Sequence, residues 1–321
     1  LLQEEPLLRK ENLSGGFIYY DCLVNDARLT LVTVKSAHEH GAVVANYTQA
    51  IGIDTGKEPF NAVQFREVMK GKEGVIRARV VVVAAGPWTG ELFKLHSEPG
   101  PAIRPTKGVH LVFPESRLKV NQVLAVPTTD KRLIFVVPLE QFTYVGTTDT
   151  DYTDSLDKIL VEAADVDYLL DVLNHCFPSV NLGRDDIVSS WAGLRPLIME
   201  EGDPSKVSRD HYIGLYDEGL AVIAGGKLTT HRTMAENLID QVLERYAHRL
   251  EGGFQTCTTD EVPLTGGEMM DFSSYLRAQS LGLKGRWGLS STSIEHLIHS
   301  YGRNHMDILA LGLSDRKLLE Q

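Results

Sequence analysis

The stretch that most constrains the fold of this chain is residues 220–243, which read LAVIAGGKLTTHRTMAENLIDQVL. The apolar run that begins it has the length of a buried strand, and Gly225 and Gly226 follow directly. Beyond them, apolar residues recur at three- and four-residue spacings, which predicts a helix with one apolar face. A strand, a glycine turn and a helix start direct backbone N–H groups and a helix N-terminus towards one point, where a ligand can bind.

Two interpretations of this stretch stay open. In the first, the glycines let a flat or anionic group approach the main chain, while Lys227 supplies a positive charge and two threonine hydroxyls supply donors. In the second, the stretch is an ordinary strand-to-helix connection with a solvated lysine, because short motifs of this kind also occur without a ligand.

A second apolar run, RVVVVAA at 79–85, predicts a strand that is buried on both faces, as in a parallel sheet. It stops at Gly86 and Pro87, where proline removes a donor and favours a turn, and residues 89–95 predict a short helix. Open α/β sheets bind ligands beyond the carboxyl ends of their strands. The sequence therefore indicates a ligand site at this turn as well.

Composition argues against several other classes of protein. A chain of 321 residues with 43% hydrophobic and 23% charged residues is typical of a globular protein with two or three domains. Its net charge of −11 argues against general nucleic-acid binding. The three cysteines show no metal-binding or disulfide spacing, which favours a reducing compartment and no metal site. No apolar run approaches the ~20 residues that span a bilayer.

Between the two apolar runs the pattern changes to short apolar segments separated by polar turns, which predicts an antiparallel sheet from 103 to 148. One amphipathic helix is predicted at 165–177, and further strands at 187–192 and 211–215 complete an inserted domain. The remaining predicted elements are strands at 16–20 and 42–47, a helix at 26–41, a small β-meander at 48–74, and helices at 273–278 and 293–301.

The order of six short motifs carries a resemblance to a known family. GFIYYDCLVNDARL is followed by VVVVAAGPW, TKGVH, YVGTTDTDY, AGLRPL and AGGKLTTHR. In this order they resemble the FAD-dependent sn-glycerol-3-phosphate dehydrogenases of the D-amino-acid-oxidase-like flavoprotein group. The resemblance implies FAD as the cofactor, oxidation of glycerol 3-phosphate to dihydroxyacetone phosphate, and transfer of the electrons to a membrane quinone.

The same resemblance implies a fold of mixed α/β and α+β class and a set of domain boundaries. Residues 1–98 are expected to form part of an FAD/NAD(P)-binding-like domain, and 218–250 its returning strand and helix. Residues 99–217 are expected to form the inserted antiparallel substrate domain, and 251–321 a small helical C-terminal domain. The family's N-terminal G-x-G-x-x-G turn has no match here, so we expect a fragment that lacks half of its cofactor site.

Candidate substrate residues follow from the matched motifs and from the chemistry of a phosphate ester. Arginine suits phosphate because its planar guanidinium can donate two hydrogen bonds at once. By resemblance, Arg195 in GLRP is the principal substrate residue. Arg209 is a second candidate, although a surface ion pair would explain it equally well. Lys227 and Thr230 are expected to lie over the flavin and the substrate.

Cofactor contacts implied by the resemblance fall on the two glycine turns. They are Ala85, Gly86 and Pro87 in the first turn, and Gly225, Gly226, Lys227, Leu228 and Thr229 in the second. His110 is the candidate general base, since histidine titrates near neutral pH, and with Arg195 and Lys227 it completes the expected catalytic set. Lys107 could reach a carboxylate or a phosphate. A structural role is the alternative for both His110 and Lys107, and the base could instead lie in the segment that we expect to be missing from the front of the chain. Residues 147–149 would either close the site or form a polar turn.

Two functions compete with this expectation. A related flavin oxidase, acting on glycerol 3-phosphate or on an amino acid, would also use an arginine to bind its anionic substrate. Alternatively, a fragment that cannot hold FAD would be inactive. The resemblance further implies a cytoplasmic protein, and it leaves open a peripheral association with the inner membrane and a homodimer.

Overall fold

The computed structural model describes residues 1–55, 59–95, 99–128, 130, 132–199 and 211–319. The strands, in chain order, are β1 (Thr48–Asp54), β2 (Asn61–Glu67), β3 (Glu73–Ala78), β4 (Val81–Val83), β5 (Ile103–Pro114), β6 (Leu124–Pro127), β7 (Leu133–Leu139), β8 (Phe142–Gly146), β9 (Thr150–Asp151), β10 (Ser189–Ile198), β11 (His211–Tyr216) and β12 (Leu220–Gly225). The α-helices are α1 (Asp26–Glu39), α2 (Thr89–Phe93), α3 (Ala163–Cys176), α4 (His231–Tyr246), α5 (Phe272–Trp287), α6 (Ser291–Tyr301) and α7 (His305–Ser314).

The chain divides into two compact units. One comprises Leu1–Tyr20 with Gln49–Glu251, and the other comprises Asp21–Thr48 with Gly252–Gln321. The first contains the sheets and helices α2 to α4, whereas the second contains α1 and α5 to α7. The observed grouping differs from the expected one at residues 21–48, which the sequence placed with the first domain. The expected domain boundaries themselves stay a prediction.

The largest sheet of the first unit is the antiparallel sheet predicted for the inserted region. Its strands follow the order β10-β5-β8-β7-β6, and β9 pairs with β5. Helix α3 packs on one face of this sheet, as predicted. The core between them includes Val109, Leu111, Phe113, Ile134, Val136, Val145, Leu169 and Leu173. Because successive residues of a strand point to opposite faces, Gly108 and His110 lie on the face away from α3.

A second sheet has the order β11-β12-β4, and its strand β12 is the buried strand predicted from the sequence. Strand β4 runs parallel to β12, with Val81 opposite Leu220 and Val83 opposite Val222. The parallel pairing confirms the prediction made from RVVVVAA, but the predicted extent of that strand is wrong. Val82 is 39% exposed, and the backbone turns at Ala85 (φ −95°, ψ 11°), so the strand ends before it.

The strand predicted at 211–215 is present as β11, but it was assigned to the wrong sheet. It pairs with β12 in antiparallel register, with Ile213 opposite Ile223. Ile213 and Leu215 pack with β12 and with Leu238 of α4. Burial of these side chains against α4 explains why the strand joins the smaller sheet and not the inserted one.

Two predicted strands near the start of the chain are absent from the structure. Residues 16–20 have no regular structure, and their aromatic side chains are exposed, with Phe17 at 100% and Tyr20 at 98%. Alternating apolar residues form a strand only where a partner covers them, and no partner strand covers these among the residues described. At 42–47 the extended pattern is interrupted because Tyr47 adopts a left-handed φ of +52°, and β1 begins after it. The predicted meander is formed by β1, β2 and β3.

The helical unit has its own small core. Leu283, Leu289, Ile294, Ile298 and Leu309 are its buried residues. Helix α1 joins this unit through Arg28, whose Nε donates to the carbonyl of Ser300 at 3.1 Å and whose guanidinium lies over the Tyr301 ring at 4.4 Å. Helices α5 and α6 contain the two predicted helices, but α5 continues to Trp287, well beyond its predicted end at 278, and α7 was not predicted. Within the residues described, no helix is long and apolar enough to cross a membrane.

A buried ion pair fastens α3 to the inserted sheet. The Nζ atom of Lys107, on the α3 side of β5, lies 2.8 Å from Asp165 and 2.7 Å from Glu162. The side chains of Lys107 and Asp165 are only 5% and 6% exposed. Burial by itself lowers the pKa of the Lys107 ammonium, but hydrogen bonds and charges from Asp165 and Glu162 outweigh it, and the net pKa is raised. Lys107 therefore stays charged and has a structural role.

We expect Lys107→Met to lower the free energy of unfolding by about 3–5 kcal/mol, because it leaves the Asp165 carboxylate buried without its cation. Urea titration measures the change. The matched control is Lys119→Met, which removes an exposed partner of Glu115 and should cost less than about 1 kcal/mol. Equal losses in the two variants would contradict the assignment.

Candidate functional site

The two glycine turns predicted from the sequence lie at the same edge of the smaller sheet. Strand β4 leads to Gly86, and β12 ends at Gly225. Because the two strands run parallel and pair directly, their carboxyl ends meet at one edge. This is where open α/β sheets bind their ligands.

Backbone conformation explains the glycines in these turns. Gly86, Gly225 and Gly226 have φ values of +53°, +76° and +73°, which other residues rarely adopt. At Gly226 an added Cβ would also lie 2.5 Å from Sδ of Met234, on the first turns of α4. The glycines are therefore needed for the tight path from β12 into α4. At Gly86 an added Cβ would meet open space, so only its conformation requires glycine.

Residues 227–230, which lead into α4, are exposed to solvent. They are Lys227, Leu228, Thr229 and Thr230. The Thr230 hydroxyl donates to the carbonyl of Lys227 at 3.0 Å, so it has only its lone pairs left for a ligand. This geometry suits a ligand that lies against the backbone of the turn. If the ligand carries a negative charge, the Lys227 ammonium is placed to pair with it.

The other glycine turn lies against the inserted sheet. Residues Gly86–Trp88 form a single 3₁₀ turn, in which Pro87 is the second residue. This turn packs beside β10 and β5, and β10 also packs beside β12. The indole Nε1 of Trp88 donates to Oδ1 of Asp157 at 3.0 Å. The sheet that carries Arg195 thus packs against the first turn and against β12, which leads into the second turn, within one unit.

Arg195 lies on β10 and is held by the segment that follows β8. Its Nη2 donates to the Thr147 hydroxyl at 2.9 Å, and its Nη1 donates to the carbonyl of Thr148 and to Oδ1 of Asp149, both at 3.2 Å. The Arg195 side chain remains 36% exposed. A guanidinium held by neutral oxygens and one exposed carboxylate keeps its charge available to an anion.

Gly108 makes room for this guanidinium. A Cβ at Gly108 would lie 2.5 Å from the Thr147 hydroxyl oxygen and 2.6 Å from Nη2 of Arg195. Across the sheet, Gly193 pairs directly with Gly108, but a Cβ there would meet nothing within 4 Å. Glycine is therefore required at position 108 to leave space for the guanidinium, whereas position 193 has space for a side chain.

His110 lies on the same face of the sheet, two residues beyond Gly108. Its ring stacks on Trp191, with centroids 4.9 Å apart and planes 12° from parallel. Tyr144 packs edge-on at 6.1 Å, and Gly146 lies so close that a Cβ there would be 2.3 Å from the ring. The imidazole is thus confined to one orientation on the face that carries Arg195.

The structure does not bring every candidate to this site. Lys107 points to the opposite face, where its ammonium pairs with Glu162 and Asp165, so it takes the structural role that the sequence left open. Arg209 falls outside the described residues. Thr147 and Asp149 contact Arg195 directly, although the sequence explained them equally well as a polar turn. Their position at the end of a strand, in YVGTTDTDY, was the available signal.

Comparison with known proteins identifies the family. A family profile described as FAD dependent oxidoreductase matches residues 1–232. The chain belongs to this family. Its membership confirms the resemblance to FAD-dependent flavoproteins, the fold class and FAD as the cofactor.

Individual relatives are more specific. The chain is 40% identical over 309 residues to an aerobic glycerol-3-phosphate dehydrogenase of Bacillus subtilis, which covers 94% of the chain and 55% of the relative. It is 38% identical to an aerobic glycerol-3-phosphate dehydrogenase of Staphylococcus haemolyticus, and this match covers 94% of the chain and 56% of the relative. A glycerol-3-phosphate dehydrogenase of Bacillus halodurans, solved with FAD, matches with a TM-score of 0.85 and 37% identity, covering 96% of this chain and 60% of that one. The chain spans just over half the length of the curated relatives it matches.

We expect Gly226→Ala to lower the free energy of unfolding by about 1–2 kcal/mol, because the left-handed φ at this position disfavours any side chain. Denaturant titration measures it. Gly193→Ala, which places a methyl group in open space, is the control and should cause no loss. If the two variants were equally stable, the turn would not depend on its glycine.

Proposed function

We propose that this chain forms the substrate site of an FAD-dependent enzyme that oxidises sn-glycerol 3-phosphate to dihydroxyacetone phosphate and passes the electrons to a quinone. The observation that carries the proposal is the guanidinium of Arg195. It is held across Gly108, on a sheet that packs against the first glycine turn and against β12, the strand that leads into the second. The names of the two glycerol-3-phosphate dehydrogenases compared above support the same substrate.

In this proposal Arg195 binds the phosphate group. Its neighbours hold the guanidinium in one plane, and a planar guanidinium matches two phosphate oxygens at once. Lys227, exposed at the second glycine turn, adds a second positive charge, with Thr230 beside it and Arg209 as a further partner. Binding the phosphate away from the reacting carbon fixes the position of that carbon.

His110 is the proposed general base. The reaction requires that the proton of the secondary hydroxyl be removed as the carbon is oxidised. Stacking on Trp191 and the absence of a side chain at Gly146 hold the imidazole on the Arg195 face. An imidazole in a fixed orientation can accept a proton at one defined nitrogen, which is what a base of this kind needs.

FAD is proposed to lie along the shared edge of the two glycine turns. Ala85, Gly86 and Pro87 would line it on one side, and the segment from Gly225 to Thr229 on the other. The residues fit such a group because positive-φ glycines leave the backbone accessible and residues 227–229 are exposed at the start of a helix. Bound FAD supplies the acceptor for the hydride that leaves the substrate.

The remaining parts of the proposal concern the surroundings of the enzyme. Quinones reside in membranes, so the proposal includes peripheral association of a cytoplasmic protein with the inner membrane. Residues 99–217 act in it as the substrate domain, and 1–98 with 218–250 as the cofactor domain.

Arg195→Lys tests the substrate assignment in the FAD-loaded full-length protein. Lysine keeps the charge but loses the planar fork, so one hydrogen bond to the phosphate is lost. Such a bond is worth ~1.5–3 kcal/mol, and kcat/KM for glycerol 3-phosphate should fall roughly 10- to 100-fold. Bound flavin should be unchanged, and glycerol, which has no phosphate, should show a much smaller loss.

The outcome distinguishes this proposal from its competitors. Equal losses on both substrates, or loss of flavin, would give Arg195 a structural role. Turnover of sarcosine or D-alanine faster than glycerol 3-phosphate would indicate an amino-acid oxidase. Oxygen consumption matching substrate consumption would indicate an oxidase in place of a quinone-linked dehydrogenase.

Gly108→Ala tests the geometry without altering any polar group. The added methyl group must push the Arg195 guanidinium away from Thr147, and a displacement of this kind should lower kcat/KM for glycerol 3-phosphate by about tenfold or more. Steady-state kinetics measure the loss. Gly193→Ala, at the directly paired position, should leave kcat/KM within about twofold of its original value.

A further inference from the structure

Arg132, which precedes β7, belongs to a network that the proposed mechanism has not used. Its Nε donates to Oδ2 of Asp130 at 2.7 Å, and its guanidinium lies over the Tyr168 ring of α3, 4.9 Å from the centroid. Tyr168 also donates through its hydroxyl to Oδ1 of Asp130 at 3.2 Å. The hydrogen bond from Arg132, with a further one from Thr128, lowers the pKa of Asp130 to about 2. The guanidinium is therefore held by the Asp130 carboxylate and by the Tyr168 ring of α3.

This anchored guanidinium reaches the segment that holds Arg195. Nη1 of Arg132 donates to the backbone carbonyl of Asp149 at 3.0 Å. The side chain of the same Asp149 accepts from Nη1 of Arg195 at 3.2 Å, and the two residues before it supply the other contacts to Arg195. Asp149 thus connects the two arginines. Arg132 binds its backbone carbonyl, and Arg195 binds its carboxylate.

Contacts with β5 hold the same segment on either side of Asp149. The Thr148 hydroxyl accepts from the backbone N–H of Val109 at 3.0 Å, which ties its middle to β5. β9 begins directly afterwards and pairs with β5, with Thr150 opposite Lys107. Arg132 is the contact that fixes the Asp149 carbonyl between these two points. Without it, the Asp149 peptide could rotate, and its carboxylate would change its position against Arg195.

We propose that Arg132 is a positioning residue for substrate binding, which acts on Arg195 through the carbonyl of Asp149. The inference rests on the proposed function, because it takes Arg195 as the phosphate ligand. Arg132 itself touches no substrate. Its effect is to keep the Asp149 carboxylate where it orients one nitrogen of Arg195 without closing over the face that the phosphate needs.

A double-mutant cycle in the FAD-loaded protein tests the inference. Arg132→Gln should lower kcat/KM for glycerol 3-phosphate on the order of tenfold, mainly by raising KM, as expected for residues that share one hydrogen-bond network. In the Arg195→Lys background the same change should lower kcat/KM less than about twofold, because the residue through which it acts is already impaired. Arg132→Lys, which keeps the charge, should fall between the original protein and Arg132→Gln, and it gives a second variant if Arg132→Gln does not fold.

Arg184→Gln is the matched control. Arg184 also forms a side-chain ion pair with an aspartate, and this partner, Asp167 of α3, lies outside residues 147–149. It should leave kcat/KM within about twofold of its original value. Equal losses from Arg132→Gln in the two backgrounds would overturn the inference, since a merely structural role gives additive losses. If Arg195→Lys itself left glycerol 3-phosphate turnover unchanged, the proposed substrate site would fail, which is a separate result.

Discussion

The parallel pairing of β4 with β12 is the constraint on which the candidate site depends. β4 precedes the large inserted sheet in the chain, and β12 follows it. Since the two strands run in the same direction, their glycine turns leave from one edge, whereas antiparallel neighbours would have sent Gly86 and Gly225 to opposite edges. The packing of β10 beside both β12 and the Gly86 turn then brings Arg195 into the same neighbourhood.

The inserted sheet uses its two faces differently, and two cations show the difference. Lys107 is buried on the α3 side, and two carboxylates surround its ammonium group. A cation in that position holds a helix against a sheet, and the two carboxylates balance its charge. Arg195, on the other face, is partly exposed, and two of its three described partners are neutral oxygens. Its position is fixed while much of its charge stays available, which is what an anion site requires.

Much of this arrangement could be predicted from the sequence, because the strongest signals were local. The buried strand β12, the turn at Gly225 and Gly226, and the helix after it all depend on residues that are adjacent in the chain. Pairings between distant segments were harder to predict. β11 shares the apolar pattern of the inserted strands, and only its packing against Leu238 of α4 decides which sheet it joins. Residues 16–20 look like a strand by composition, but strand formation needs a partner, which composition does not supply. The contacts of Thr147 and Asp149 with Arg195 also depend on a pairing between strands that are distant in sequence.

The strict alternation along β5 has a consequence for how this protein can vary. Lys107 faces α3, and Gly108 faces Arg195, so one step along the strand separates the structural cation from the gap that admits the guanidinium. Inserting or deleting a single residue within Ile103–Pro114 would exchange the two faces for every position beyond it. A change before Lys107 would point that lysine at Arg195 and turn His110 into the core. Changes in length should therefore be confined to the connections between strands, while β5 tolerates only substitutions that respect its two faces.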